Sequence, residues 1–391
     1  MRGTSLLALA LLTAGAFGQH EAETPEALAR EDVYASIDRA VGYLVENQED
    51  DGSWGTSAPE CLFEIGFALE TYYGWQVSAH GLAALALASV PETPERRLAL
   101  ERAVDWLTTV RIPTRGADWD QDHVWSALYG FQAAVELMED PRFAGTARGE
   151  ALRVRAESFL EVLRSYQAAS GGWAYYDDPP YDVVPTWATS FCTALILPSL
   201  VRAREAGLPV EDRMIERAIR YVRRCALPNG AYTYDLTPVP RISGVEHINK
   251  VEGSLGRIQV CNWALVECGV EQVTEEVVRR GVEAFFEHRG FLDHVRTRPI
   301  PHEGFHANAG YFYFFGHYYL ALAIELLPEE EQEGWHAKLR PHFVKTQWAS
   351  GATSDFLDAQ YLINASTAYL ILGLQAGLEP EAAAEEEGLD R

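Results

Sequence analysis

The chain is short of positive charge. Its 391 residues carry 32 Lys and Arg against 57 Asp and Glu, a net charge of −25. Binding to nucleic acid or to an anionic membrane requires a basic surface, so neither partner is expected. Long apolar runs are also missing. Beyond the N-terminus no stretch is apolar enough to cross a bilayer. Cysteine is scarce: Cys61, Cys192, Cys225, Cys261 and Cys268 are the five present. An odd number without a dense framework excludes a disulfide-built fold, and the pairing of one or two bridges stays open. Strand-rich regions and domain linkers are absent too.

The ends of the chain read as appendages. Arg2 supplies a short positive segment, Leu6 to Leu12 an apolar core, and Ala14-Gly15-Ala16 and Ala16-Phe17-Gly18 two small-residue cleavage sites. Residues 1–19 are expected to be an export signal, sending the mature chain to a periplasmic or extracellular location. No cysteine follows the apolar core, which argues against a lipid anchor. Residues 378–391 read as an acidic tail, poorly suited to packing. One helical domain is expected between them, over residues 32–377.

That domain repeats. Six times a helix-like stretch meets a glycine, at Gly52, Gly116, Gly172, Gly230, Gly290 and Gly351, with spacings of 64, 56, 58, 60 and 61 residues. A more apolar helix follows each time. The clearest copy is Gln48 to Gly55, QEDDGSWG. A period near sixty fits one helical hairpin per unit. In the first helix of each pair apolar residues keep to one face, as Ile37, Ala40, Val41, Leu44 and Val45 do in the stretch from Ser36 to Gln48. The second helix, such as Gln76 to Val90, is apolar on most sides and must be buried on most sides. Twelve helices alternating in this way predict an all-α fold, an (α/α)6 toroid with six outer and six inner helices. An open solenoid is the alternative, but the first copy is the strongest match, whereas solenoids begin with an atypical cap. Glycine suits a left-handed turn, and the aromatic residue behind it (Trp54, Trp119, Trp173, Tyr232, Phe291) is expected to cover helix ends.

The QEDDGSWG turn, the QAASGGW copy from Gln167 to Trp173 and the sixfold helix alternation resemble the prenyltransferase and squalene-oxidase repeat. That repeat builds the α/α toroid of terpenoid cyclases and of protein prenyltransferase β subunits. The resemblance covers roughly Asp32 to Gly377 and implies the fold more strongly than the reaction. Class II cyclases carry an acid motif D-x-D-D. The nearest string here, Asp118-Trp119-Asp120-Gln121-Asp122, has Gln121 in the fourth position. The prenyltransferase zinc set is Asp-x-Cys with a later His; here Cys261 and His306 are in suitable places, but Gln259 stands where the aspartate belongs. Gly256-Arg257 is similar to that family's diphosphate-binding pair, though set closer to the cysteine. Cys268 to Gln272 is one residue too long for the thioester closure of complement-type toroids.

Read without the resemblance, His302-Glu303-Gly304-Phe305-His306 matches H-E-x-x-H, in which histidines one helical turn apart can share a zinc ion. His302 and His306 are therefore candidate metal ligands, the prenyltransferase resemblance adds Cys261, and zinc is the cofactor this set implies. His317 is too far along a helix to complete that set. Polar residues also recur near the starts of the inner helices: His80, Asp122, His123, Thr186, His306, Asp355 and Asp358. Two readings stand, capping of helix starts or a polar rim at one mouth of the ring, with His80, His123, Asp122, Asp355 and Asp358 as its candidate catalytic groups. Tyr311 to Tyr319 reads YFYFFGHYY, joined on other inner helices by Trp75, Trp125, Tyr129, Trp187, Phe191, Trp263, Tyr361 and Tyr369. Trp125, Trp187, Trp263, Tyr311, Tyr313 and Tyr361 are the candidate walls of a cavity for an apolar or isoprenoid-like small molecule or lipid. A non-catalytic binding module and a metal-dependent or glycan-acting enzyme remain as alternatives.

Overall fold

The computed structural model describes residues 27–176, 184–236, 248–296, 298 and 304–378. The expected export signal and the acidic tail beyond residue 378 lie outside these residues, as do His302 and Glu303.

All twelve expected helices form, with a short extra one. The outer helices are α1 (Arg30–Glu46), α3 (Pro94–Thr109), α5 (Ala147–Tyr166), α7 (Asp212–Cys225), α9 (Glu275–His288) and α12 (Glu329–Val344). The inner helices are α2 (Leu69–Ala88), α4 (Trp125–Glu139), α6 (Ser190–Glu205), α8 (Leu255–Glu267), α11 (Phe312–Ile324) and α13 (Gln360–Gln375), and α10 (Gly290–Val295) follows α9 directly. Burial separates the two classes. Fifteen of the twenty residues of α2 are buried, against six of the fourteen of α7, whose outer face carries Arg213, Glu216, Arg220 and Arg224. Each inner helix packs against the inner helices before and after it, and α13 packs back against α2. The protein is thus an all-α toroid of six hairpins in two concentric rings. Cys192, Cys225, Cys261 and Cys268 form no disulfide.

The glycine turns do more than reverse the chain. Gln48 donates through Nε2 to its own turn at the Gly52 carbonyl (2.9 Å) and to the next outer helix at Ala99 (2.8 Å). Gln167 repeats this at Gly171 (2.8 Å) and Met214 (3.0 Å). Gln347 does the same at Gly351 and at Ser36 of the first helix, both 2.9 Å, which joins the last unit to the first. Gly52, Gly171, Gly230 and Gly351 have positive φ. A Cβ at Gly351 would lie 2.1 Å from the Arg39 carbonyl oxygen, so close approach as well as handedness demands glycine there.

Three turn assignments change. In the third copy Gly171, not Gly172, takes the left-handed position. Gly116 and Gly290 have no positive φ, and Gly290 begins α10 instead of turning the chain. Trp54 and Trp173 are fully buried and donate to the helix-end carbonyls of Leu44 (2.8 Å) and Leu163 (2.7 Å), as their covering role requires. Trp119 is instead exposed at the surface.

Candidate functional site

Five of the six inner helices, α2, α4, α6, α11 and α13, together with the loops before them, surround a cavity of about 320 Å³. Thirteen of its twenty-one lining residues are aromatic, and among these lining residues there is no Lys, Arg or His. Trp75 stacks on Tyr361 (4.5 Å between centroids, 17° between planes), so the first and last hairpins meet at the ring closure in this wall. Trp125 lies parallel to Tyr175 at 6.0 Å and 2°. Deeper in, the Tyr129 and Tyr369 hydroxyls share a hydrogen bond, and Tyr318 rests against Tyr369 at 5.2 Å. This tyrosine cluster closes the cavity from below.

Two carboxyl groups interrupt the aromatic wall, Asp122 and Asp355. Asp122 sits just before α4 with φ at +66°, a left-handed conformation uncommon for a residue with a side chain. Gly74 of α2 lets that loop press close: a Cβ there would come within 2.9 Å of the His123 Cα. The Trp75 indole donates to Asp122 Oδ2 at 3.0 Å. Burial pushes the Asp122 carboxyl up to about 6, although the indole bond pulls the other way. Asp355 precedes α13 and accepts from the Phe314 backbone N–H at 3.0 Å. Burial raises it to about 7, against the pull of that N–H and the Arg296 guanidinium. Near neutral pH Asp355 can therefore hold a proton that an ordinary aspartate would have lost.

The other rim candidates are elsewhere. His80 is fully buried between Trp54 and Trp106, with Nε2 3.0 Å from the Ala103 carbonyl oxygen, and burial lowers its pKa to about 4. It faces the outer ring, and because α2 begins at Leu69, seven residues earlier than its apolar pattern suggests, it lies mid-helix and not near the helix start. His123 is buried edge-on to Tyr166 of α5, and desolvation, helped by Arg115, lowers it to about 4. Thr186 and Asp358 are exposed and line no part of the cavity. Asp120 is structural. It accepts from Gly116 (3.0 Å) and from Glu70 at the start of α2 (3.1 Å), the helix-capping reading of the Asp118–Asp122 string.

Among the expected cavity walls, Trp125, Tyr311 and Tyr361 line it. Trp187 packs on Tyr175 and Tyr176 behind the wall. Tyr313 points outward and donates to the His342 carbonyl at 3.0 Å. Trp263 lines a second cavity at the opposite end of the ring. Tyr175 and Tyr234 line the cavity without having been singled out, and their hydroxyls lie 3.0 Å apart. Each stands two residues after a turn aromatic, in Trp173-Ala174-Tyr175 and Tyr232-Thr233-Tyr234. Trp173 and Tyr232 each form a β-bridge, and extended backbone sends alternate side chains to opposite sides. That pattern was readable.

The metal candidates do not converge among the described residues. Cys261 is buried in α8 with its sulfur 3.8 Å from the Ser190 carbonyl, and burial pushes its thiol well up. His306 has φ at +59° in a short turn before α11, edge-on to Phe291, so the H-E-x-x-H string does not enter a helix at this histidine. No group of three or more His, Cys, Asp or Glu side chains able to hold a metal occurs among the described residues. Arg257 lies behind Tyr234, its guanidinium 5.5 Å from that ring and bonded to the Tyr232 and Ile248 carbonyls, rather than facing the cavity.

No family model and no curated protein matches the sequence. Solved structures share the fold. The type II terpene cyclase MstE from Scytonema superposes with a TM-score of 0.51 at 13% identity, over 88% of this chain and 97% of that one. A possible member of the GH105 family from Klebsiella pneumoniae gives 0.55 at 12% identity, over 90% and 94%. The α-1,6-mannanase GH76A of Salegentibacter sp. gives 0.56 at 10% identity, over 88% and 98%. The α/α toroid is therefore common to this chain, a terpene cyclase and glycan-acting enzymes. At these identities the likeness extends to the fold alone.

Proposed function

We propose that the aromatic cavity binds an apolar, isoprenoid-like molecule and that Asp355 delivers a proton to it. One observation carries this reading. Two desolvated carboxyls open into a cavity whose described lining is otherwise mostly aromatic and aliphatic, with Gln121 and Ser78 beside them, and contains no basic residue. A polyol would need many fixed hydrogen-bond partners, and an anionic sugar would need a cation. An apolar polyene needs neither, and it replaces the water that would otherwise contact these rings. Exposed Leu69 and Trp119, two residues from the lining residues Phe67 and Gln121, give such a ligand an apolar approach.

The chemistry balances without a cofactor. The Asp355 O–H bond breaks as its proton forms a C–H bond with an alkene carbon, or an O–H bond with an epoxide oxygen. The cation left behind is attacked by the next double bond, forming a C–C bond. Faces of Trp75, Trp125 and Tyr361 are placed to stabilise the moving positive charge. A final proton leaves to a carboxylate, the role assigned to Asp122. The glycan-acting reading uses the same two carboxyls for cleavage, and the toroid supports it as a scaffold. Export by residues 1–19 is part of this proposal, and mass spectrometry of the mature N-terminus tests it.

The test is incubation of the purified protein with linear polyprenols and their terminal epoxides, followed by gas chromatography with mass detection. Conversion to an isomer of unchanged mass, lost in Asp355→Asn, supports the proposal. Tight binding with no conversion reduces it to a binding module. Cleavage of an oligosaccharide with no response to polyprenols overturns it.

A further inference from the structure

Of the six inner helices, α8 alone sends no side chain into the aromatic cavity. Its hairpin contributes Tyr234 instead, from the turn before it, and Tyr234 meets Tyr175 from the turn before α6. Both residues are held through their backbones. The Tyr175 carbonyl accepts from the Val124 N–H (3.1 Å) and the Tyr234 carbonyl from the Ser190 N–H (3.0 Å), at the starts of α4 and α6. The Tyr234 N–H donates to Asn249 Oδ1 at 2.8 Å. The rings are fixed as well. Tyr175 lies parallel to Trp125, and Tyr234 rests against Phe191 (5.3 Å) and the Arg257 guanidinium. The two hydroxyls therefore stand 3.0 Å apart at a set point of the wall.

A hydroxyl offers one donor and two acceptor lone pairs. One of the two protons is used in the bond between the tyrosines. Among the described residues neither hydroxyl has another partner, so the pair keeps one proton to donate and lone pairs to accept with. Both side chains are half-buried cavity residues and the bond between them is only partly buried, so a ligand can reach it. The other uncharged polar groups of the wall are less suited. Ser78 donates to the Gly74 carbonyl at 2.6 Å, and among the described residues no hydrogen bond holds the Gln121 amide in place.

A fixed pair that donates once and accepts once matches a ligand hydroxyl, which does the same. A carboxylate or diphosphate end would need a cation, and no Lys, Arg or His is among the lining residues. We propose that the Tyr175–Tyr234 pair anchors the hydroxyl end of an isoprenoid alcohol, donating to its oxygen and accepting its proton. This rests on the cavity reading above and adds which end of the ligand is held, and by what. Tyr175 follows the third glycine turn and Asp355 the sixth, so they stand on opposite sides of a six-hairpin ring. The alcohol oxygen is thereby kept from the acid, whose proton meets the hydrocarbon chain instead.

Tryptophan-fluorescence titrations of the full chain with farnesol, with farnesene (a hydrocarbon of the same skeleton) and with farnesyl diphosphate test it. Farnesol should saturate one site and bind more tightly than the diphosphate. Tyr175→Phe/Tyr234→Phe keeps both rings and should weaken farnesol about tenfold while farnesene changes by less than about twofold. Should the double variant melt lower, Tyr234→Phe alone should still weaken farnesol about threefold against an unchanged farnesene. Equal weakening of both ligands means that the hydroxyls only shape the wall, and unchanged farnesol means that they do not touch it. Either result overturns the anchor and leaves the apolar cavity standing, as does tighter binding of the diphosphate than of farnesol. Absence of saturable binding by both farnesol and farnesene overturns the anchor and the cavity reading together.

Discussion

The Trp75 indole nitrogen donates to Asp122 Oδ2 across 3.0 Å, from the second helix of the chain to the loop before the fourth. This bond favours the charged carboxylate, yet Asp122 still titrates near 6 because burial outweighs it. The two effects can be separated. Trp75→Phe keeps the aromatic wall and removes the donor, so the Asp122 pKa should rise further, by about one unit. Carboxyl titration by ¹³C NMR reads this directly. A pKa that stays put would mean the bond does not form in solution.

Ring closure makes its own prediction. Gln167 and Gln347 make equivalent pairs of bonds, one to their own turn and one to the next outer helix. Gln347 alone spans the two ends of the chain. Alanine at either position removes two hydrogen bonds, of which the one to the turn glycine carbonyl is not replaced by the helix, and should cost about 1–3 kcal/mol in urea unfolding. In an open solenoid Gln167→Ala would still be costly and Gln347→Ala nearly neutral.

Gly351 and Gly290 occupy the same place in the sequence repeat and should behave oppositely. Gly351→Ala meets a left-handed φ of +91° and the Arg39 carbonyl, and should destabilise by several kcal/mol. Gly290 sits at the start of α10 with open space around it, and Gly290→Ala should be neutral or stabilising by up to about 1 kcal/mol. Thermal melts of the two variants settle the point.

The buried acid leaves a pH signature. Asp355 titrates near 7 when folded and about 3.9 when unfolded. The folded chain therefore holds this proton more tightly. The contribution favours folding below about pH 4 and is lost as the pH rises through 7. Asp355→Asn abolishes it, so the variant should gain on wild type by on the order of 3 kcal/mol between pH 4 and 8. The buried His80, lowered to about 4, has the opposite sign: its contribution is present above 6.5 and is lost on acidification through 4. It cancels when the variant is compared with wild type at each pH by urea unfolding.

Much of the fold was legible because its signals are local. Gln48, Gly52 and Trp54 all act within their own turn, and the apolar periods separate inner from outer helices. Gly290 misled because a glycine after a charged helix looks the same whether the chain turns or continues. Arg289 before it keeps helical φ and ψ, and the helix direction simply resets into α10. The site was legible in part. Asp122 and Asp355 precede inner helices and point into the ring, whereas His80 is eleven residues into its helix and faces out. How far such a side chain lies from the mouth of the ring depends on where the helix starts, and helix starts are weakly marked when the preceding loop is itself apolar. Leu62 to Gly66 and Phe67 read as a continuation of neither element.

The central claim is that the aromatic cavity takes an apolar ligand. Trp75 and Trp125 line it, so their fluorescence reports occupancy. The direct measurement is a fluorescence titration with farnesol and, in parallel, with a mannotetraose. Saturable quenching by farnesol at one site, weakened at least tenfold by Trp125→Ala and absent with the sugar, is the predicted result. Saturation by the tetrasaccharide with no response to farnesol would contradict the account.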